Sequence, residues 1–308
     1  MPARRDPSRL SRVREHVQRP GQRLAAGRAL VGVMVAVLLL LCASVARAAD
    51  EESTRIGGIA VVVWSKPGVT PQAQPVIVFS HAMYMCPTQS RYLMRALADA
   101  GYLVIAPRHA DSNCDLSIDF TDLSRYALKP SLLWSDSDYR DRGDDIRRLV
   151  AALFRDPRFA HRADPVRLAL AGHSLGGYTV LGLGGAWPSW KLPGVRAILA
   201  LTPYALPFQH SEGLRKLAAP VMYQVGTLDP MFTLPLGLSG YDQSPAPKYY
   251  VEFATAAHLA WTDLGMGGRD PIIEYALAFF DHYVKDAPAR PVLQTKLPEV
   301  AKFAHAER

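Results

Sequence analysis

A succession of short apolar runs, rich in β-branched residues and bounded by glycine, proline and serine, most constrains what this chain can fold into. Ile59–Trp64 (IAVVVW), Val76–Ser80 (VIVFS), Tyr102–Ala106 (YLVIA), Val166–Gly172 (VRLALAG), Arg196–Leu201 (RAILAL), Val221–Gly226 (VMYQVG) and Tyr249–Phe253 (YYVEF) all read as strands. Between them lie segments of helical character: Gln89–Ala100, Asp136–Arg155, Leu175 to about Gly185, and Pro271–Val284. In Asp136–Arg155 the apolar residues Ile146, Leu149, Val150 and Leu153 share one face. Strands without polar alternation are buried on both faces. The pattern therefore predicts an α/β fold, a mostly parallel central sheet with helices on both faces. Neither a repeat nor a low-complexity linker interrupts the pattern, so residues 49–308 read as one domain. Residues 107–134 show no clear period and read as a long irregular segment of the kind that often carries function.

The first 48 residues are of another kind. Residues 29–46 carry no charge, arginines precede them, and Ala46-Arg47-Ala48 supplies the small residues of a cleavage site. This predicts a secretory signal peptide removed after Ala48 and an exported, periplasmic or extracellular protein. The alternative is an uncleaved anchor at residues 29–46 in the inner membrane, since 18 uncharged residues approach a membrane span. A membrane is expected as a partner only if that segment is retained. Charge supports the division. Lys and Arg number 35 against 28 Asp and Glu, net +7, and residues 1–48 hold nine arginines against Asp6 and Glu15, which is 9 − 2 = +7. The remainder is neutral, which removes the electrostatic case for a nucleic-acid partner. Beyond the leader the cysteines are Cys86 and Cys114, six and eight residues past the strands ending at Ser80 and Ala106. In a parallel sheet both loops leave the same carboxyl edge, so an exported chain is expected to bridge them. No Cys/His spacing suits zinc and there is no H-E-x-x-H, so neither a metal nor another cofactor is expected.

The chemistry lies at Gly172-His173-Ser174-Leu175-Gly176-Gly177. A bare G-x-S-x-G arises by chance about one time in ten in a chain of this length. Here it follows a strand directly and opens a helix, the context of a nucleophile elbow that presents Ser174 above the sheet. With VIVFSHAMY, YLVIAP, AGHSLGGYT, YQVGTLDP and ATAAHLAWTD, the chain resembles the α/β-hydrolase family over roughly Val76 to Val284. It looks most like secreted bacterial esterases of the dienelactone-hydrolase, platelet-activating-factor-acetylhydrolase and polyesterase branches. The resemblance implies an α/β-hydrolase fold and metal-free hydrolysis of esters or thioesters.

In that fold the catalytic residues follow the chain order Ser, acid, His. His210 comes too early, His305 sits in a polar C-terminal segment, and His282 falls within the closing helix as a packing residue. His258, after the small-residue run 254–257, is left as the base. Asp229 follows the strand Val221–Gly226 and matches the family's G-x-x-D, making it the expected acid, with Asp242 and then Asp263 as alternatives. One oxyanion donor is expected at the Leu175 amide. Aligning His81-Ala82-Met83 with the family's His-Gly-x makes the Met83 amide the second, with Ala82 standing where the family has glycine.

These residues imply two-step acyl transfer through an acyl-enzyme. The expected substrate is a small-molecule or polymeric ester with a short or medium acyl group. No contiguous apolar helix in residues 107–134 suggests a lipase lid, since Asp111, Asp115, Asp119, Asp122, Arg125 and Lys129 interrupt it. Tyr204 and Trp261 are candidate pocket aromatics. Thioesterase, transacylase, amidase or lipase action on the same residues, and a noncatalytic binding protein on this scaffold, are the competing readings.

Overall fold

The computed structural model describes residues 49–66, 73–115, 130–229, 234–265 and 267–307. The expected leader lies outside the described residues. Ala48–Arg308 forms one compact unit.

A single sheet runs through it, with strands β1 (Asp50–Ile56), β2 (Ile59–Ser65), β3 (Gln74–Ser80), β4 (Leu103–Pro107), β5 (Ala163–His173), β6 (Val195–Leu201), β7 (Val221–Gly226), β8 (Lys248–Phe253) and β9 (Val300–Ala306). Their order is β1-β2-β4-β3-β5-β6-β7-β8-β9. From β4 to β8 every neighbouring pair is parallel. β2 on β4, β1 on β2 and β9 on β8 are antiparallel. The α/β architecture and its mostly parallel sheet are as the apolar runs predict.

Among the described residues the α-helices are α1 (Arg91–Asp99), α2 (Arg140–Leu153), α3 (Leu175–Leu181), α4 (Leu206–His210), α5 (Leu234–Gln243) and α6 (Arg269–Val284). Strand residues alternate between two cores. Ile77 and Phe79 of β3 share one core with Leu93 and Leu97 of α1 and Phe279 of α6 on one face. Val76 and Val78 meet Ile146 and Leu149 of α2 and Tyr178 of α3 on the other. All four apolar residues that the period places on one face of α2 are buried.

Two strands depart from the expected pattern. β1, sequence DEESTRI, is mostly exposed, and β9 carries the exposed residues Lys302 and His305. An edge strand with one wet side lacks the apolar run that marks a central one. His305 is therefore not in a loose tail. It pairs with Tyr249 in register and stacks on that ring at 6.0 Å.

From β3 the chain crosses to β4 on one side, and from β5 to β6 on the other. The crevice beyond the carboxyl ends of β3 and β5 is thus the point where strand order reverses, the usual ligand position in open α/β sheets. The loop after β3 and the turn after β5 both open there. Across the same edge Cys86 and Cys114 lie at disulfide distance, their Cα atoms 4.8 Å apart. Asn113 N–H donates to Met85 O at 3.2 Å beside them.

Candidate active site

Between β5 and α3 the chain turns at Ser174, whose φ of 55° and ψ of −116° lie in a region that a residue with a side chain rarely occupies. The turn survives because its neighbours leave it no room to relax. A Cβ on Gly172 would stand 2.2 Å from Gly176 O, one on Gly176 1.9 Å from Ser80 O, and one on Gly177 2.5 Å from Pro203. Only glycine fits at these closures. The Ser174 N–H donates to Leu201 O at 3.0 Å and its carbonyl accepts from Tyr204 N–H at 3.1 Å, tying the elbow to the end of β6. Gly176 in turn presses α3 against Ser80 and His81, the start of the loop that carries Met83. An amide in the first turn of a helix, such as that of Leu175, has no intrahelical acceptor.

Asp229 and His258 meet at the ends of β7 and β8. Asp229 Oδ2 is 2.8 Å from His258 Nδ1, and the same oxygen accepts from the Thr202 hydroxyl. The Asp229 side chain is almost fully buried, whereas the His258 ring retains some access. Their loops are stitched together. Leu228 N–H donates to Ala256 O at 2.9 Å and Thr255 N–H to Thr227 Oγ1 at 2.9 Å. A Cβ on Gly226 would meet Ala256 O at 2.1 Å, so this approach too requires glycine. His258 is linked to the elbow through its predecessor: His173 Nε2–H donates to His258 O at 2.9 Å, with the two rings 5.0 Å apart.

The alternatives for acid and base have other occupations. Asp263 accepts from the N–H groups of Arg91 and Tyr92, both at 3.1 Å, and so caps α1 from a distance in sequence. Asp242 is exposed near the end of α5, where its carbonyl accepts from Lys248 at 3.0 Å. His282 bonds Ala287 O through Nδ1 within the closing helix turn, as a packing residue would.

The loop after β3 rests on a buried guanidinium. Arg142 of α2 is completely buried, and each of its three nitrogens has an acceptor. Nε and Nη2 grip Asp111 at 3.1 and 2.8 Å, Nη1 reaches His81 O at 2.7 Å and Ser80 Oγ at 3.4 Å, and Nη2 reaches Ala82 O at 3.3 Å. His81 Nδ1–H also donates to Ala82 O at 2.7 Å, as does Met85 N–H at 3.2 Å. In a trans peptide the C=O and the next N–H point in opposite directions. With Ala82 O held inward, the Met83 N–H is turned away from Arg142. Ala82 itself keeps a negative φ, and the left-handed residue of this loop is Tyr84 at 53°. Alanine therefore replaces glycine without backbone strain. Beneath the loop, Ser80 Oγ, His109 and Asp145 form a further buried chain, with both His109 contacts at 3.0 Å. Burial first, and Arg142 next, holds His81 and His109 well below the ordinary imidazole value.

Tyr204 is half-buried beside the elbow and packs on Trp134 at 4.9 Å, which meets Tyr178 edge-on at 5.0 Å. Trp261 instead is wholly buried, and its indole N–H donates to Gln224 at 3.0 Å. It is a core residue, not a pocket aromatic. Leu228 and Leu259, the neighbours of Asp229 and His258, are exposed at 59% and 43%, giving this edge an apolar surface. The sequence does not announce the contacts that Thr202, Gln89, His173 and Arg142 make at this site. Thr202 alone had a signal, a hydroxyl directly after a strand at the same sheet edge. No group of His, Cys, Asp and Glu suited to a metal occurs among the described residues. Comparison with protein-family models and with curated proteins finds no match to this chain.

Proposed function

We propose that this protein is a serine hydrolase of the α/β-hydrolase kind that cleaves carboxylic esters of short or medium acyl chain. The observation that carries the reading is the 2.8 Å contact between Asp229 Oδ2 and His258 Nδ1 beside the strained Ser174 turn. In the proposed cycle His258 Nε2 takes the Ser174 proton as Oγ attacks the ester carbonyl carbon. Asp229 holds the proton on Nδ1 and stabilises the imidazolium that forms. The Leu175 and Met83 amides receive the developing oxyanion. The imidazolium then protonates the departing alkoxide, leaving the acyl group on Ser174, and water repeats the sequence to release the acid. The apolar surface at Leu228 and Leu259 and the half-buried ring of Tyr204 suit an uncharged acyl chain or a polyester strand. The Cys86–Cys114 pair agrees with export after removal of residues 1–48.

The test is labelling with a fluorophosphonate probe together with hydrolysis of p-nitrophenyl esters from acetate to palmitate. Wild-type protein should be labelled and turn over the shorter esters fastest. Ser174→Ala and His258→Ala should each lose about 10³-fold or more in kcat. Labelling that persists in Ser174→Ala, or rates that peak at palmitate and jump at the micellar concentration, would overturn the assignment of nucleophile or of substrate class.

A further inference from the structure

A buried amide side chain joins the three loops on which this chemistry would depend. Gln89 follows the turn begun at Cys86, where its N–H donates to Cys86 O at 2.9 Å, two residues before α1. Such a position ordinarily sends a polar side chain to solvent, yet Gln89 is 6% exposed and points inward. Its Oε1 accepts from the Ala82 N–H at 2.9 Å, and its Nε2 lies 3.0 Å from His173 Nδ1 and 3.2 Å from Ser90 Oγ. His173 continues the chain to His258 O.

The direction of every bond in this chain follows from its ends. A carbonyl can only accept, so the proton of His173 sits on Nε2 facing His258 O, and Nδ1 must accept. Only the NH2 of Gln89 can donate to it, which leaves Oε1 to receive the Ala82 N–H. Burial lowers His173 to about 3, and the neighbouring His258 adds to the effect, so this tautomer persists through the working pH range. The peptide between His81 and Ala82 is thereby pinned at both ends, its carbonyl by Arg142 and its N–H by Gln89. The next peptide carries the Met83 N–H.

We infer that Gln89, acting through His173, is a positioning residue that holds the oxyanion loop, the elbow and the base loop in one register. The inference rests on the ester-hydrolase reading. It concerns the transition state, because a donor misaligned toward an oxyanion affects the developing charge more than the bound ester.

The experiment measures kcat and KM of full-length Gln89→Leu and Gln89→Glu on p-nitrophenyl acetate from pH 5 to 8. Gln89→Leu should lose about 10²-fold in kcat with KM within about threefold, the pattern of an interaction made in the transition state. Gln89→Glu keeps the acceptor for Ala82, but its ionised form cannot donate to His173. Protonated glutamic acid restores that donor, so the ratio of Gln89→Glu to wild-type kcat should rise about tenfold from pH 8 to 5. A residue that merely supports the fold gives a pH-independent ratio. Adding His173→Phe to Gln89→Leu should cost little more than either change alone. A Gln89→Leu kcat within threefold of wild type, or a flat ratio for Gln89→Glu, would overturn the inference while leaving the hydrolase reading intact. A wild type that is neither labelled at Ser174 nor active on any ester sinks that reading, and this one with it.

Discussion

At the scale of single residues, the acid is the assignment most open to direct trial. Asp229 Oδ2 receives both the His258 ring and the Thr202 hydroxyl. Asp229→Asn should reduce kcat by about 10²- to 10⁴-fold, because an amide can present the wrong hydrogen-bonding partner to Nδ1. Asp242→Asn, at an exposed site, should stay within twofold of wild type. Thr202→Val removes one hydrogen bond to a buried carboxylate and should cost about tenfold in kcat with little change in KM. Rates on p-nitrophenyl acetate decide all three, and a silent Asp229→Asn beside a crippled Asp242→Asn would reverse the assignment. The positions of Ser174, Asp229 and His258 relative to their strands were legible in the sequence, and it is on these positions that the proposed nucleophile, acid and base rest. The residues that aim them were not. Gln89 lies 84 residues from His173, and Arg142 lies 61 and 60 residues from His81 and Ala82, and a glutamine or arginine in an amphipathic stretch has the same local signature whether it faces water or a buried carbonyl.

At the scale of elements, the junction between β5 and α3 is governed by close approach of backbones. Gly176→Ala places a methyl 1.9 Å from Ser80 O, which neither backbone can yield without moving the elbow or the loop after β3. We expect a loss of at least about 3 kcal/mol of stability, seen as a lower melting temperature or insoluble protein. Gly268→Ala is the control. Its φ is −62° and its nearest neighbour would be Pro271 Cδ at 3.7 Å, so it should remain within about 1 kcal/mol of wild type. The apolar runs announced each central strand because those strands are buried on both faces. β1 and β9 carry no such run for the complementary reason, as each pairs on one side and meets solvent on the other. The segment expected to be helical from Asp136 begins its helix at Arg140, where the left-handed Tyr139 precedes the first turn. Ser135 to Asp138 instead close a turn, with the Ser135 N–H on Asp138 Oδ2 at 2.7 Å.

For the molecule as a whole, the buried imidazoles tie stability to pH. Burial lowers His81, His109 and His173 below the ordinary 6.5 of the unfolded chain, His173 to about 3. As pH falls, the unfolded chain therefore takes up protons that the folded one does not. Stability is fully present above about 6.5 and is lost progressively below it, by up to about 1.4 kcal/mol per pH unit for each histidine. Asp145 works in the opposite sense, because burial raises its carboxyl and its protonation favours the folded form, but only toward the carboxylate range. Urea unfolding should show a midpoint that drops from pH 7 to 5 with an unchanged m-value. An equal midpoint at both would mean that these histidines are protonated in the folded protein. Reduction of Cys86–Cys114, 28 residues apart, should cost about 3–4 kcal/mol in the chain-entropy view.

The antiparallel strand β9 has a consequence for how the chain is made. β8 is synthesised some fifty residues before its outer partner, from Lys248–Phe253 to Val300–Ala306. At about 5–20 residues per second, the ribosome leaves that edge unpaired for seconds. During that interval the sheet presents a row of open N–H and C=O groups in an apolar strand, a template for joining another nascent chain. A chain cut at residue 299 would keep every residue assigned to chemistry and still be prone to aggregate.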